Sequence, residues 1–345
     1  MNLTNSVSQQ VRPWFMLDEQ VDSRLKDLAP DVRRHAISLI ENGYTIIRGG
    51  FDRRSCERLI ARFKAFADAN MDKFGKYLDK DGHYPRIINL HAAMPELFDL
   101  FSKNEMALRV QTALFSATPC LYTSLFYERG SAQPLHRDTP VFSTKPEYFY
   151  FGVWTALEDA NESNGALEVL AGGHKLPELD RPAMASEFFS SPEEISDFSQ
   201  PLWNRYQKAV AEQGEAAGLR KTMLDVKAGD TVIWHPQLPH GGGPIKDIAR
   251  SRFSFVMHTT PIGVPVYHQD KFFNPSGPAA IDAPWPYEVV DGSHRVMHNE
   301  VNFAHQEAFA ASDFKQPEGF VDVETEDKSA SSSAFDRLRR VFTKA

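Results

Sequence analysis

Cysteine is almost absent from this chain, which carries Cys56 and Cys120 and no others among its 345 residues. Two thiols cannot build a disulfide framework or a four-cysteine zinc site, so the sequence favours a reducing compartment. Long apolar runs are also missing, since no stretch reaches the roughly 18 residues that indicate a membrane-spanning helix. The opening MNLTNSVSQQVRPWF lacks the basic and then apolar pattern of a signal peptide. We therefore expect a cytoplasmic protein with no membrane span.

An excess of positive charge is missing as well. The net charge is −8, so the composition offers no basic face for nucleic acid or for an anionic membrane. Hydrophobic residues make up 42% of the chain and charged residues 24%, which is typical of a globular protein with its own core. We expect a small-molecule partner and no nucleic acid.

The first part of the chain, over residues 20–115, predicts mainly helices. PDVRRHAISLIEN, residues 30–42, has apolar positions at helical spacing, and Gly43 follows as a C′ residue. YTIIRG then reads as a strand, and Asp52 is placed to cap a second helix through CERLIARFKAFADA. An α-β-α opening is expected here.

From about residue 116 the pattern predicts strands. LYTSLFY, YFYFGVWTAL, ALEVL, DTVIW and RFSFVMHTT are β-branched and aromatic runs separated by turn residues. Strands do not alternate with helices, so we expect an antiparallel sandwich or barrel over residues 116–265, interrupted by a mainly helical insert over 176–226. Residues 266–310 would extend the same domain, which would then run from 1 to 310. Residues 311–345 read as a flexible acidic and Ser-rich tail in which AFDRLRRVFTKA could form a short helix.

Two segments carry residues suited to a metal site. In QPLHRDT, His136 and Asp138 are two apart, so on a strand they would share one side, although such a pair at a strand end is also ordinary. GDTVIWHPQLPHGGGP supplies His240 further on, and two histidines with one carboxylate form the facial triad of non-heme Fe(II) oxygenases. Arg252 and Ser254 in SRFSF would face one way on the next strand and could bind a carboxylate. The alternative for Arg252 is a salt bridge on the sheet surface, which the preceding histidines and glycines and the apolar strand argue against.

These segments together resemble the phytanoyl-CoA dioxygenase family over roughly residues 41–261. The matching stretches are ENGYTIIRGGF, PLHRDT, VWTALEDANESNGALEVLAGGHK, GDTVIWH and PHGGGP followed by RFSF. The resemblance implies a mainly β fold with flanking helices and a double-stranded β-helix, or jelly-roll, core. It also implies dependence on Fe(II), with 2-oxoglutarate and O2 as cosubstrates.

Residue by residue, the resemblance places the iron ligands at His136, Asp138 and His240. It assigns the distal carboxylate of 2-oxoglutarate to Arg252, with further cosubstrate contacts at Ser254, Trp154, Ser124 and Arg86. The chain departs from the family pattern in two respects near the cosubstrate site. Gly242 stands where a serine often touches the cosubstrate, and the spacing from His240 to Arg252 leaves Arg250 as a rival anchor.

The implied reaction is hydroxylation of an unactivated C–H bond in a small metabolite, with release of succinate and CO2. Asp138 argues against halogenation, because related halogenases have Gly or Ala at that ligand position. Desaturation, cyclisation and epimerisation stay open, as do a zinc or manganese cupin-like enzyme and an inactive jelly-roll scaffold. His235 and His174 are interpreted as structural histidines, whereas His258 shares the parity of Arg252 along the strand and could line the pocket.

Overall fold

The computed structural model describes residues 12–277 and 285–317. Its helices, apart from short 3-10 turns, are α1 Asp18–Lys26, α2 Pro30–Asn42, α3 Arg53–Ala69, α4 Met71–Phe74, α5 Asp99–Ser102, α6 Glu105–Phe115, α7 Arg181–Ser186, α8 Gln200–Ala216 and α9 Gln269–Phe273. None of these helices is long and apolar enough to cross a membrane. The terminal helix expected within residues 311–345 lies outside the described residues.

The N-terminal part forms as the sequence predicts. Helix α2 ends at Asn42, and Gly43 takes the left-handed conformation with φ 85°, donating its N–H to Leu39 O. The side chain of Asp52 accepts a hydrogen bond from Ser55 N at 2.8 Å and so caps α3. Between the two helices, β1 joins the main sheet.

Most of the strands of the described residues lie after residue 116. The strands are β1 Tyr44–Ile47, β2 Ile87–Ile88, β3 Pro119–Tyr127, β4 Ser143–Thr144, β5 Phe151–Ala156, β6 Leu167–Leu170, β7 Lys221–Met223, β8 Thr231–Trp234, β9 His240–Gly242, β10 Ser254–Pro261, β11 Val266–Tyr267, β12 Tyr287–Val290, β13 Ser293–Val296, β14 Glu300–Phe303 and β15 Glu307–Ala310. The main sheet has the order β1-β8-β5-β10-β3-β2-β14-β15, and β7-β6-β9 form a second, smaller sheet. Among the described strands, the pairing of β13 with β3 is parallel and the others are antiparallel. The expected mainly β fold with flanking helices is confirmed.

The insert after residue 176 is only partly helical. It contains α7 and α8, but residues 221–223 form β7, which pairs with β6. The mainly helical insert thus ends in a strand, because backbone pairing to β6 satisfies N–H and C=O groups that a short helix end would leave free. Helix α8 buries Leu202, Trp203 and Tyr206 in one cluster with Phe272 and Phe273 of α9, which packs the insert against that helix.

Candidate metal centre

The segment that carries His136 and Asp138 is not a regular strand. His136 forms an isolated bridge with His240, with N–O distances of 2.9 Å in both directions. Pro134 has no N–H to extend the ladder, and after Asp138 the chain turns, with Val141 N and Phe142 N both bonded to Asp138 O. The expectation of two ligands on one strand was thus wrong in detail, and His240 is the first residue of β9. One antiparallel bridge nonetheless sets the two histidines side by side.

The three expected ligands converge. Ligand atoms of His136, Asp138 and His240 all lie within 4.8 Å of one another, and each residue is only 5% exposed. His136 Nε2 is 3.4 Å from Asp138 Oδ1, and His240 Nε2 is 3.5 Å from Asp138 Oδ2. Residues distant in the sequence therefore present three donor atoms around one point.

Both histidines are fixed in the same orientation by the backbone. His136 Nδ1 lies 2.8 Å from the carbonyl of Pro134, and His240 Nδ1 lies 3.0 Å from the carbonyl of Leu238. Because a carbonyl oxygen only accepts, each Nδ1 donates an N–H, so a neutral ring carries its proton there and offers Nε2 as the free nitrogen. That is the tautomer in which imidazole binds a metal through Nε2.

Charge in the cluster also suits a cation. Burial lowers the pKa of His240 to about 4, so its ring is neutral at neutral pH. Burial by itself raises the pKa of Asp138, but the surrounding histidines, His240 first, outweigh it and hold that pKa well below its usual range. The site thus combines two imidazoles with one carboxylate anion.

A cavity opens beside the three ligands, between the main sheet and the smaller one. Strands β3, β5, β8, β10, β6 and β9 all contribute to its wall. Besides the three ligands, the lining residues are Leu125, Tyr127, Ser131, Gln133, Trp154, Leu167, Trp234, Gly241, Gly242, Arg252, Val256 and His258. Trp154, Arg252 and His258 were expected from the sequence to lie at the site, whereas Tyr127, Ser131 and Trp234 were not. Strand parity with Leu125 could have indicated Tyr127, whereas Ser131 lies on irregular backbone that has no such periodicity.

Arg252 is a buried cation without an anion. It is 4% exposed, and its Nη1 donates to Gly165 O at 2.8 Å, while Nε is buried with no partner. No carboxylate of the described residues lies within ion-pair distance of it. Burial accordingly lowers the pKa of Arg252 to about 10. Its guanidinium carbon stands 5.3 Å from the ring centre of Trp154, and Ser254 Oγ is 3.4 Å from its Nη2.

The rival anchor, Arg250, lies on the surface. It is exposed and hydrogen-bonds Ser163 Oγ and Asn161 Oδ1 in a neighbouring loop. Of the two arginines, only Arg252 lines the cavity. The structure thus separates a candidate anchor from a surface arginine two residues away.

Two expected cosubstrate contacts do not reach the cavity directly. Ser124 Oγ is bonded to His91 Nδ1 at 2.7 Å, on the face of β3 opposite to Leu125 and Tyr127, because neighbouring strand residues alternate. Arg86 is half-buried and stands behind the cavity wall, where it hydrogen-bonds the Tyr127 side chain. Ser124 is therefore corrected to a packing role, and any action of Arg86 would pass through Tyr127.

Gly242 shows why the chain departs from the family serine. A Cβ added there would lie 2.7 Å from both Ala132 N and Ser131 Oγ, so a larger residue does not fit without moving that segment. Ser131 itself lines the cavity at this place. A hydroxyl is therefore retained, but it comes from a different segment.

The model of the phytanoyl-CoA dioxygenase family matches residues 39–254. The chain belongs to this family. Human peroxisomal phytanoyl-CoA dioxygenase is 31% identical over 121 residues, 34% of this chain and 31% of the human protein. Phytanoyl-CoA dioxygenase 1 of Oryza sativa subsp. japonica is 28% identical over 210 residues, 56% of this chain and 63% of the rice protein. The match thus spans about a third of the length of the mammalian relatives.

Solved structures show the same fold. The non-heme alpha ketoglutarate dependent epimerase SnoN from nogalamycin biosynthesis matches at a TM-score of 0.51 and 15% identity, over 77% of this chain and 95% of that one. The carbocyclase SnoK from the same biosynthesis matches at 0.53 and 15%, over 76% of this chain and 96% of that one. The resemblance read from the sequence and the jelly-roll architecture are therefore confirmed.

Proposed function

We propose that this member of the phytanoyl-CoA dioxygenase family is an Fe(II)- and 2-oxoglutarate-dependent dioxygenase that hydroxylates an unactivated C–H bond of a small molecule, with release of succinate and CO2. The observation that carries the proposal is the combination in one cavity of a buried His-Asp-His cluster and a buried guanidinium without an anion. A buried guanidinium without an anion costs free energy, so packing alone does not account for Arg252. Together the cluster and the guanidinium fit a metal and an acidic cosubstrate.

The donor set fits ferrous iron. Two imidazoles and one carboxylate on one side leave three positions open, as in non-heme Fe(II) oxygenases, whereas structural zinc sites use four protein ligands. His136 and His240 already have their Nδ1 protons bound to carbonyls, so Nε2 needs no rearrangement to bind. We assign His136, Asp138 and His240 as the iron ligands.

The other end of the cavity fits a dicarboxylate. Arg252 Nε has no partner and would be satisfied by a carboxylate, with which a guanidinium forms two parallel hydrogen bonds. Trp154 packs beside that guanidinium, and Ser254 Oγ orients it. We assign Arg252 as the anchor of the distal carboxylate of 2-oxoglutarate, with Trp154 and Ser254 in support.

When bound, iron with 2-oxoglutarate and O2 would supply the oxidising chemistry. The residues of this chain orient the metal ligands and exclude bulk water from the cavity. His136 and His240 present their lone pairs from adjacent backbone, and Asp138 brings the single negative charge that neutralises part of the metal's charge. The triad is almost fully buried, which keeps bulk water from the reacting atoms. Ser131 and Gln133 give the cavity neutral polar groups, and apart from Arg252 no Lys or Arg of the described residues lines it. A small molecule without strong negative charge fits that lining best.

The test uses the full chain with Fe(II) and 2-oxoglutarate under anaerobic conditions. We expect the weak visible charge-transfer band of an Fe(II)–2-oxoglutarate chelate, followed on admission of O2 by substrate-stimulated succinate release. Absence of the band with a correctly folded protein would overturn the oxygenase assignment in favour of a different metalloenzyme or a scaffold. Product mass then identifies the reaction, because hydroxylation adds an oxygen atom, desaturation and ring closure remove two hydrogens, and epimerisation leaves the mass unchanged.

A further inference from the structure

We propose that Trp234 and His258 are positioning residues that hold the outer oxygen, Oδ2, of Asp138 and so turn its other oxygen, Oδ1, toward the metal. The inference rests on the proposed iron site and adds two residues to it. Both line the cavity; Trp234 lies six residues before His240, and His258 lies outside the two segments that carry the ligands. Each is 3% exposed.

The two oxygens of Asp138 have different surroundings. Oδ2 receives Trp234 Nε1–H at 3.1 Å and is 3.3 Å from His258 Nε2. Oδ1 is 3.4 Å from His136 Nε2 and Oδ2 is 3.5 Å from His240 Nε2, so each oxygen faces one of the two expected ligand nitrogens. Beyond these ligand histidines, the hydrogen bonds from the described residues go to Oδ2, which leaves Oδ1 the freer of the two oxygens to bind a cation.

The indole of Trp234 reaches Asp138 only because its neighbour is glycine. Trp234 pairs with Gly152 across β8 and β5, and a Cβ at Gly152 would lie 1.9 Å from Cε2 of the indole. Real side chains never approach so closely, so any other residue would displace the ring. The same indole packs on His240, with ring centres 4.7 Å apart. Trp234 is thereby locked against two of the three ligands.

The imidazole ring of His258 is fixed by stacking on one of its faces. Its ring stacks on Phe142, with centres 3.8 Å apart and an angle of 17° between the planes. Phe142 is placed by its own N–H, which bonds to Asp138 O in the turn that follows the ligand. Nδ1 of His258 is buried without a partner, so its contact with Asp138 through Nε2 is its one hydrogen bond among the described residues.

The expected consequence is for metal affinity and geometry. A carboxylate bound through one oxygen leaves three open positions beside the two histidines, whereas one bound through both would leave two. Partners that orient a metal ligand typically contribute 10–100-fold to metal affinity. We therefore expect removal of either N–H donor to weaken metal binding by about that factor.

The test compares matched tryptophan variants with Co(II) alone as the probe, because its visible absorption reports both binding and coordination number. Trp234→Phe removes the donor to Asp138, whereas Trp14→Phe removes an equally buried indole whose Nε1–H binds Ala113 O and which does not line the cavity. We expect about 10–100-fold weaker binding and a changed band intensity for Trp234→Phe and wild-type behaviour for Trp14→Phe. Equal affinity and equal spectra in the two variants would overturn the proposal.

His258 is tested in the same way by two substitutions. His258→Leu removes the hydrogen bond, and His258→Gln keeps an N–H donor of similar reach, so the second should recover much of the affinity that the first loses. Thermal unfolding of the metal-free variants identifies loss through misfolding; should His258→Leu not fold, the tryptophan pair decides alone. If the wild type itself binds no Co(II), the proposed iron site fails. If it binds and all variants match it, only the positioning role fails.

Discussion

Two pairs of buried histidines in this molecule invite comparison. The rings of His136 and His240 have centres 4.5 Å apart, and those of His174 and His235 have centres 4.8 Å apart. His235 and His240 belong to one short segment, and all four residues are at most 7% exposed. Ring distance and burial are thus almost the same in the two pairs.

The difference lies in what the ring nitrogens face. In the second pair, His174 Nε2 bonds the carbonyl of Ile40, and His235 Nδ1 accepts from Gln237 N. Phe15 packs edge-on against His235 at 5.4 Å, and no carboxylate of the described residues joins this pair. A histidine pair becomes a candidate metal site only when free ring nitrogens and a carboxylate face the same point beside a cavity. Without these, the pair has a structural role in the core. The interpretation of His174 and His235 as structural agrees with these contacts.

The largest expected effect comes from removing the anion of the first pair. Asp138→Ala should abolish Co(II) or Fe(II) binding and succinate release, because it removes the one carboxylate among the three ligands. His235→Gln is the matched change in the second pair and should leave metal stoichiometry unchanged while lowering the free energy of unfolding by about 1–3 kcal/mol. Metal analysis and denaturant unfolding of both variants check this. Full metal binding by Asp138→Ala would contradict the ligand assignment.

The next effect concerns the cosubstrate end of the same cavity. Arg252→Met should weaken 2-oxoglutarate binding by about 30-fold or more, since loss of a buried charged partner costs roughly 2–5 kcal/mol. The same change should not lower the stability of the ligand-free protein, because it removes a buried cation that has no anion. Arg250→Met is the surface control and should alter neither quantity appreciably. Titration of the anaerobic chelate band measures the affinities, and equal loss in the two variants would exclude Arg252 as the anchor.

Two glycines pack against the two histidine regions, Gly43 against His174 and Gly152 against Trp234, so substituting either glycine perturbs one region. Gly43→Ala places a Cβ 2.6 Å from His174 Nδ1 at a residue with φ 85°, so it should destabilise the fold by about 1–3 kcal/mol with unchanged metal affinity. Gly152→Ala forces the Trp234 ring away and should lower both stability and metal affinity. Calorimetric unfolding and Co(II) titration of the two variants separate these outcomes. A normal metal affinity in folded Gly152→Ala would break the link between Trp234 and the site.

The smallest effect is a pH dependence of the second pair. Burial lowers the pKa of His174 to about 4, below the ordinary value of 6.5, so the unfolded chain takes up a proton there before the folded chain does. The stability that the buried neutral ring contributes is present above pH 6.5 and is lost as the pH falls from about 6.5 toward 4. At pH 5 the loss in the free energy of unfolding should be about 1–2 kcal/mol. His174→Gln should therefore reduce the loss of stability between pH 7 and pH 5. Identical pH profiles for wild type and variant would show that this ring does not titrate as its burial predicts.

Local sequence rules were sufficient for much of the fold. The helix over residues 30–42, its glycine end and the Asp52 cap are each decided within a few residues, since helix caps and propensities are local interactions. The motif residues of the site were also found, because the spacing of His136 and Asp138 is short. The strand assignment around them failed, because Pro134 and the turn after Asp138 depend on which segment the chain bridges. That partner, His240, is more than 100 residues away.

The sequence by itself determined which residue types could hold a ferrous ion and a dicarboxylate, and it did so through short motifs. Only the tertiary structure decided that Arg252 is buried without a carboxylate while Arg250 is on the surface, and that Ser124 faces His91. It also decided that the outer oxygen of Asp138 is held by Trp234 and His258, through an indole that needs Gly152 beside it. The physical reason is that burial, hydrogen-bond partners and close packing arise between strands that are distant along the chain, and no local pattern encodes them.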